Sequence, residues 1–158
     1  MPNILDGIHG PLEGRFAIVV SRYNDSITGK LVDGAMETLL LHGVHDTSID
    51  VIWVPGAYEI PLAADHLAAA KQYRAVICLG AVIRGETTHD QHINRAVSLA
   101  IMDSSIRYRI PITFGILTCN TLEQAIHRSG GNVGNKGVEC AQAAIEMVRL
   151  LPKLEKAD

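Results

Sequence analysis

Hydrophobic and polar positions change rhythm repeatedly along this chain. Phe16-Ala17-Ile18-Val19-Val20-Ser21 is an apolar run of strand length without polar alternation, the pattern of a strand buried on both faces. Ile27, Leu31, Ala35 and Leu39, with Leu40 beside them, then follow helical spacing, and Gly43 sits where a C-terminal cap belongs. Asp50-Val51-Ile52-Trp53-Val54 predicts a second strand, stopped by Pro55-Gly56. Pro61 suits the first turn of the next helix, which runs through Leu62, Leu67 and Ala68-Ala69-Ala70. Ala75 to Ile83 reads as a third strand, and Ile93, Val97, Ile101 and Ile106 as the helix after it. Pro111 opens a fourth strand, Ile112 to Thr118. Thr121-Leu122-Glu123-Gln124 is a capping-box pattern that starts a short helix. Ser129-Gly130-Gly131-Asn132-Val133-Gly134-Asn135 reads as a glycine-rich loop, and Val138, Ala141, Ile145, Val148 and Leu151 mark a last helix.

Strands thus alternate with helices four times. That predicts an α/β fold, a four-stranded parallel sheet with helices on both faces in a three-layer αβα sandwich. With no repeat, low-complexity segment or linker, residues 1–158 are expected to form a single domain, with 1–13 as an N-terminal arm. So small a sheet exposes its edges, and self-association is one way to cover them; the arm is a segment that can pair with a neighbouring subunit.

Composition narrows the function classes. A chain of 158 residues buries a core without disulfides or metals. A net charge of −3 without a basic stripe argues against nucleic acid as the main partner. No apolar run approaches the roughly 18 residues of a membrane span, and Met1-Pro2-Asn3-Ile4-Leu5-Asp6 lacks the basic-then-apolar order of a secretion signal. Cys78, Cys119 and Cys140 are scattered and odd in number, with no CxxC, so neither a zinc knuckle nor a disulfide framework is expected and a cytoplasmic, reducing setting fits. Aromatic residues are only 4%, which makes rings placed just after strands more informative than usual.

The unusual residues fall at the carboxyl ends of the predicted strands, where open α/β sheets bind ligands. After the first strand come Arg22-Tyr23-Asn24, and after the second Pro55-Gly56-Ala57-Tyr58-Glu59. The third delivers Val82-Ile83-Arg84-Gly85-Glu86-Thr87-Thr88-His89 to a helix N-terminus, and the fourth supplies Phe114 and leads to Thr118-Cys119-Asn120. Each has a plainer reading. Tyr23 is either a rim residue or a platform for a planar ligand. Glu59 either favours a helix N-terminus through the dipole or accepts ligand hydroxyls. Gly85 to Thr88 is either an ordinary loop and cap or an anion site built on backbone N–H groups. A first-turn His89 lies at the positive end of the helix dipole, which favours the proton-accepting imidazole a general base needs. His89 and His92 share a helix face, yet no third ligand has convincing spacing, so no metal is expected. Arg128 and Lys136 flank the glycine-rich loop, as solvated charges or as an anion clamp. That loop follows a helix and lacks a GKS or GKT ending, so it is not a Walker site.

Taken jointly, these blocks resemble the lumazine synthase family. The matching segments are Arg22 to Asp25, Trp53 to Pro61, Leu79 to His89, Phe114 to Thr118 and Gly134-Asn135-Lys136-Gly137, in family order over about residues 14–150. The resemblance implies a flavodoxin-like sandwich and a cofactor-free condensation of 5-amino-6-ribitylaminouracil with 3,4-dihydroxy-2-butanone 4-phosphate in riboflavin biosynthesis. It places Tyr23, Asn24, Gly56, Ala57, Tyr58, Glu59, Val82, Ile83, Phe114 and Lys136 around the pyrimidine and ribityl chain. It places Gly85, Glu86, Thr87 and Arg128 at the phosphate, and His89 at proton transfer. It further implies pentamers with sites between subunits, so that Phe114, Arg128 and Lys136 come from a neighbour. The short, uninserted Arg128-to-Lys136 segment points to an icosahedral shell of pentamers, and riboflavin synthase is a further partner the resemblance admits. One departure stands out: family members often follow the histidine with aromatic-rich segments, and here it is Asp90-Gln91-His92. A catalytically weak flavin- or lumazine-binding paralogue is the alternative. A receiver-type signalling module is disfavoured because Ser21-Arg22-Tyr23 supplies no acidic cluster after the first strand.

Overall fold

The computed structural model describes residues 1–131 and 134–156; Asn132 and Val133 of the glycine-rich segment, and the last two positions of the expected domain, lie outside them. Four parallel strands, β1 (Arg15–Ser21), β2 (Ile49–Val54), β3 (Tyr73–Ile83) and β4 (Ile112–Cys119), form one sheet in the order β2-β1-β3-β4. The connecting helices are α1 (Asp25–Leu41), α2 (Ile60–Ala69) and α3 (His89–Tyr108). A short α4 (Leu122–Arg128) and a long α5 (Lys136–Glu155) follow β4. The expected α/β sandwich is therefore the observed one, with strand boundaries within two residues of those read from the apolar runs.

The sheet is buried on both faces because its strands are apolar at consecutive positions. Phe16, Ile18, Val20, Ile77 and Leu79 pack under α1 and α5, whereas Ala17, Val19, Val76 and Cys78 pack under α2 and α3. The chain winds from β1 out to β2, then crosses back past β1 to β3. The carboxyl ends of β1 and β3 therefore flank the point where the winding reverses, the crevice in which such sheets hold ligands.

Local chemistry sets the element ends. After α1, Gly43 takes a left-handed φ of 91°, donating its N–H to Leu40 O while Val44 N–H reaches Leu39 O. This is the double bond of a Schellman cap, and buried Val44 packs with Leu39 beneath it. The predicted capping box is present in modified form: Thr121 Oγ1 accepts from Gln124 N–H at 3.2 Å, but Gln124 Oε1 returns to Asn120 N–H at 2.8 Å. The described residues of the expected glycine-rich loop are extended and paired. Ser129–Gly131 and Gly134–Asn135 pair as a short antiparallel ladder, β5 and β6, which aims the chain into α5.

The N-terminal arm forms no strand. It lies along α5 of its own chain, where Lys153 Nζ donates to the carbonyls of Asp6 (2.8 Å) and His9 (3.0 Å) and Arg149 Nη1 to that of Ile8 (3.3 Å). No helix among the described residues is long and apolar enough to cross a membrane.

At the opposite end of the sheet from the crevice, Asp50 accepts from Arg15 at 2.7 Å and from the Tyr73 hydroxyl at 2.6 Å, tying together the starts of three strands. The Arg15 guanidinium first, and the Tyr73 hydroxyl second, hold the Asp50 carboxyl below its ordinary range. A lowered folded-state value stabilises the fold above the unfolded value near about 4 and loses that contribution as pH falls through the lower, folded one. Because Arg15 and Asp50 side chains are 42% and 40% exposed, screening keeps the effect small. Asp50→Asn is expected to lower stability at neutral pH by less than about 1 kcal/mol. Thermal unfolding of wild type and variant should converge in acid, below the folded-state value; a gap that persists or widens there would exclude this role for Asp50.

Candidate functional site

The strand ends continue their pairing beyond the regular sheet, and this positions the loops. Past β1, Arg22 N–H donates to Val54 O at 2.7 Å and Tyr23 N–H to Pro55 O at 3.0 Å, so Tyr23 is laid beside Pro55 and Gly56. Asn24 then turns the chain into α1 with a left-handed φ of 65°, a conformation asparagine tolerates better than most side chains. Its amide donates to Ala81 O at 3.2 Å, tying the β1 loop to β3. The Tyr23 ring is left 74% exposed and the Tyr58 ring 67% exposed. Two aromatic faces at a ligand crevice, neither absorbed into the core, are available for stacking.

After β2, Gly56 is extended and a 3₁₀ turn, Ala57–Glu59, leads into α2. Glu59 folds back over Gly56: a side-chain carbon at Gly56 would stand 3.5 Å from Glu59 Oε1. No hydrogen bond or ion pair engages the exposed Glu59 carboxylate among the described residues, so it is a free acceptor.

Past β3, Arg84 N–H donates to Cys119 O at 2.8 Å, after which the chain leaves the sheet. Val82 and Ile83 are half-buried at the strand end, and Arg84 to His89 are all exposed. Gly85 has open space on its side-chain face. The N–H groups of Gly85, Glu86 and Thr87 make no hydrogen bond among the described residues. Thr87, rather than Thr88, satisfies the start of α3: its Oγ1 accepts from His89 N–H at 3.3 Å. The segment is thus a run of unclaimed donors ahead of the positive end of a twenty-residue helix, the arrangement that holds an anion. His89 and His92 line a cavity of about 530 Å³ with Tyr58, Ile93 and Ala96.

Phe114, Arg128 and Lys136 come together elsewhere. They line a cavity of about 400 Å³ on the free edge of β4, with Thr118 and Glu139 among its other walls. Lys136 is the first residue of α5 and is set by the cap before it: Asn135 Oδ1 accepts from Gly137 N–H (2.8 Å) and Val138 N–H (3.2 Å), and Asn135 Nδ2 donates to Lys30 O (3.0 Å). Arg128 approaches the Cys119 thiol at 3.9 Å.

Among the described residues the two cavities share no lining residue. One holds the Tyr58 ring and two imidazoles, and the other the Phe114 ring with two cations. No three His, Cys, Asp or Glu side chains gather as a metal would require among the described residues. Glu139 was missed in the sequence reading; it stands three residues after Lys136, a spacing that puts both on one helix face. His92 was read only as a metal candidate and proves to share the His89 cavity. A family model described as 6,7-dimethyl-8-ribityllumazine synthase matches residues 13–152.

Proposed function

Because the chain belongs to the 6,7-dimethyl-8-ribityllumazine synthase family, we propose that it condenses 5-amino-6-ribitylaminouracil with 3,4-dihydroxy-2-butanone 4-phosphate to 6,7-dimethyl-8-ribityllumazine, releasing phosphate and water. The observation that carries the reading is the convergence of exposed Tyr23, free Glu59, the unclaimed donors of residues 85–87 and His89 around the carboxyl ends of β1 to β3.

In this reading the Tyr23 ring covers the pyrimidine, Asn24 holds the β1 loop against β3, and residues 56–58 with the Val82 and Ile83 backbone border the heterocycle. Glu59 accepts ribityl hydroxyls. The N–H groups of Gly85, Glu86 and Thr87 take the phosphate. A second chain supplies Phe114, Lys136 and Arg128 from its β4-edge cavity, so the site closes only between subunits. Support comes from the open edge of β4 and from α3, where Leu99, Met102 and Ile106 are each at least 60% exposed along one face. Apolar surface of this extent on a helix marks a contact with another protein surface. The uninserted length between Arg128 and Lys136 favours a shell of pentamers over a lone pentamer. Light scattering on purified protein is expected to give a shell-sized particle, and a pentamer as the largest species would refute that preference.

The reaction needs proton movement at three stages: imine formation between amine and ketone, loss of phosphate, and ring closure with loss of water. His89 at the mouth of α3 is placed to accept and return those protons. Both substrates are intrinsically reactive, so positioning supplies much of the acceleration. Mixing the two substrates with the protein should generate lumazine fluorescence, and its absence would favour a binding paralogue. His89→Ala is expected to lower kcat about tenfold, below the usual range for an obligatory acid–base group, with KM little changed. An unaltered kcat would remove His89 from the mechanism.

A further inference from the structure

The strand-start end of the sheet carries a second concentration of positive charge that the proposed reaction does not use. A cavity of about 280 Å³ lies between the N-terminal arm, the start of β3 and the last turns of α5. Arg74, Arg149, Lys153 and Lys156 line it, against the single carboxylate of Glu13. The whole chain has a net charge of −3, so this cavity inverts the sign of the molecule locally.

The charges are not neutralised by ion pairs: none of the four cations has a carboxylate within salt-bridge distance among the described residues. Three of them donate instead to neutral backbone carbonyls of the arm. Lys153 bonds Asp6 and His9, Arg149 bonds Ile8, and Arg74 Nη1 approaches Glu13 O at 3.4 Å. The carboxyl end of α5 offers a compensating negative dipole, but that amounts to about half an elementary charge. Set against four cations and one carboxylate, it leaves the cavity strongly positive. The two guanidiniums are of the kind that engages phosphate oxygens in pairs. The volume lies below the roughly 300–1,000 Å³ of sites for drug-sized ligands, which restricts the occupant to a small ion or a short organic phosphate.

We propose that this cavity is a phosphate-type anion site, with Arg74 and Arg149 as its principal ligands and Lys156 at its rim, in which the bound anion secures the arm to α5. It is separate from the phosphate loop of residues 85–87, because β3 rises about 3.3 Å per residue and so sets Arg74 about 30 Å from Ile83. It does not depend on the activity proposed above.

The test is calorimetric titration of inorganic phosphate, and separately of glycerol phosphate, into the full-length protein at fixed ionic strength. Arg128→Ala serves as the background, so that binding at the β4-edge cations is weakened independently. Saturable phosphate binding should persist there. Arg74→Gln with Arg149→Gln should weaken it more than about tenfold. Lys156→Gln should weaken it about threefold, and because the Lys156 side chain makes no hydrogen bond among the described residues, this variant keeps the fold if the double variant does not. Comparable binding of glycerol phosphate would extend the site to phosphomonoesters, and its exclusion would restrict the site to the free ion. Phosphate affinity unchanged in Lys156→Gln and in the folded double variant, or no saturable binding in the background protein, overturns the proposal.

Discussion

Arg128→Ala is expected to reduce kcat/KM for the phosphate-bearing substrate by about 100-fold or more, the loss of one or two charge-assisted hydrogen bonds, with most of the change in KM. Arg128 ends α4 and lines the β4-edge cavity beside Lys136 and Phe114. Apart from the long approach to the Cys119 thiol it has no other partner among the described residues, so the guanidinium is free to meet a dianion. Its removal also withdraws charge from the phosphate as it departs, so a smaller fall in kcat should accompany the rise in KM. Steady-state kinetics with the phosphate substrate varied would measure both. An unchanged KM would place the phosphate elsewhere.

The same variant tests whether two chains build each site. Arg128 and His89 line separate cavities of one chain. If the neighbour supplies Arg128, subunits carrying Arg128→Ala and subunits carrying His89→Ala should complement when refolded together. Random mixing across a head-to-tail interface leaves about a quarter of the sites with both groups intact. Activity of the mixture above the mean of the two separate variants is the expected result, and activity equal to that mean would put both residues in one chain's site.

How far the sequence carried depended on the kind of pattern. The strands were legible because each is a short apolar run closed by glycine, proline or a polar cluster, and a strand buried on both faces has no other signature. Strand order was not legible: nothing in the apolar rhythm says that β3 crosses to the far side of β1, although that crossing creates the crevice. The candidate site residues were legible as types, a ring, a carboxylate and an imidazole at strand ends. The gathering of Phe114, Arg128 and Lys136 in a cavity apart from His89 was not, because it depends on which edge of the sheet each loop borders. The pairing of β5 with β6 escaped a reading that took glycine-rich composition as loop. The family resemblance supplied what periodicity does not, assigning Lys136 a substrate role, but it left Asn135 and Gly137 beside it without a physical reason.

Gly137→Ala supplies that reason in testable form, and it is expected to be strongly destabilising. A side-chain carbon at Gly137 would lie 1.9 Å from the Leu31 carbonyl oxygen and 2.9 Å from Asn135 Oδ1. The clash is with helix backbone, which cannot swing aside as a side chain does. The contact is reciprocal, since a carbon at Gly34 would meet Asn135 Oδ1 at 2.5 Å. α1 and α5 therefore interlock, the Asn135 amide filling the space that Gly34 leaves and Gly137 lying against Leu31. Alanine must push α5 from α1, breaking the Asn135 bond to Lys30 O and opening the core between the helices. Overpacking of this kind costs about 3 kcal/mol or somewhat more, equivalent in a chain of this length to a fall in Tm of about 6–12 °C. Lys136 moves with α5, so residual activity should fall further than the folded fraction does. Gly29→Ala is the control. Gly29 also lies inside α1, but nothing stands within 4 Å of its missing side chain, so alanine there should raise stability by about 0.5–1 kcal/mol. Thermal unfolding of the two variants should shift in opposite directions. A Gly137→Ala chain as stable as wild type would mean that the α1–α5 approach is not close enough to position Lys136.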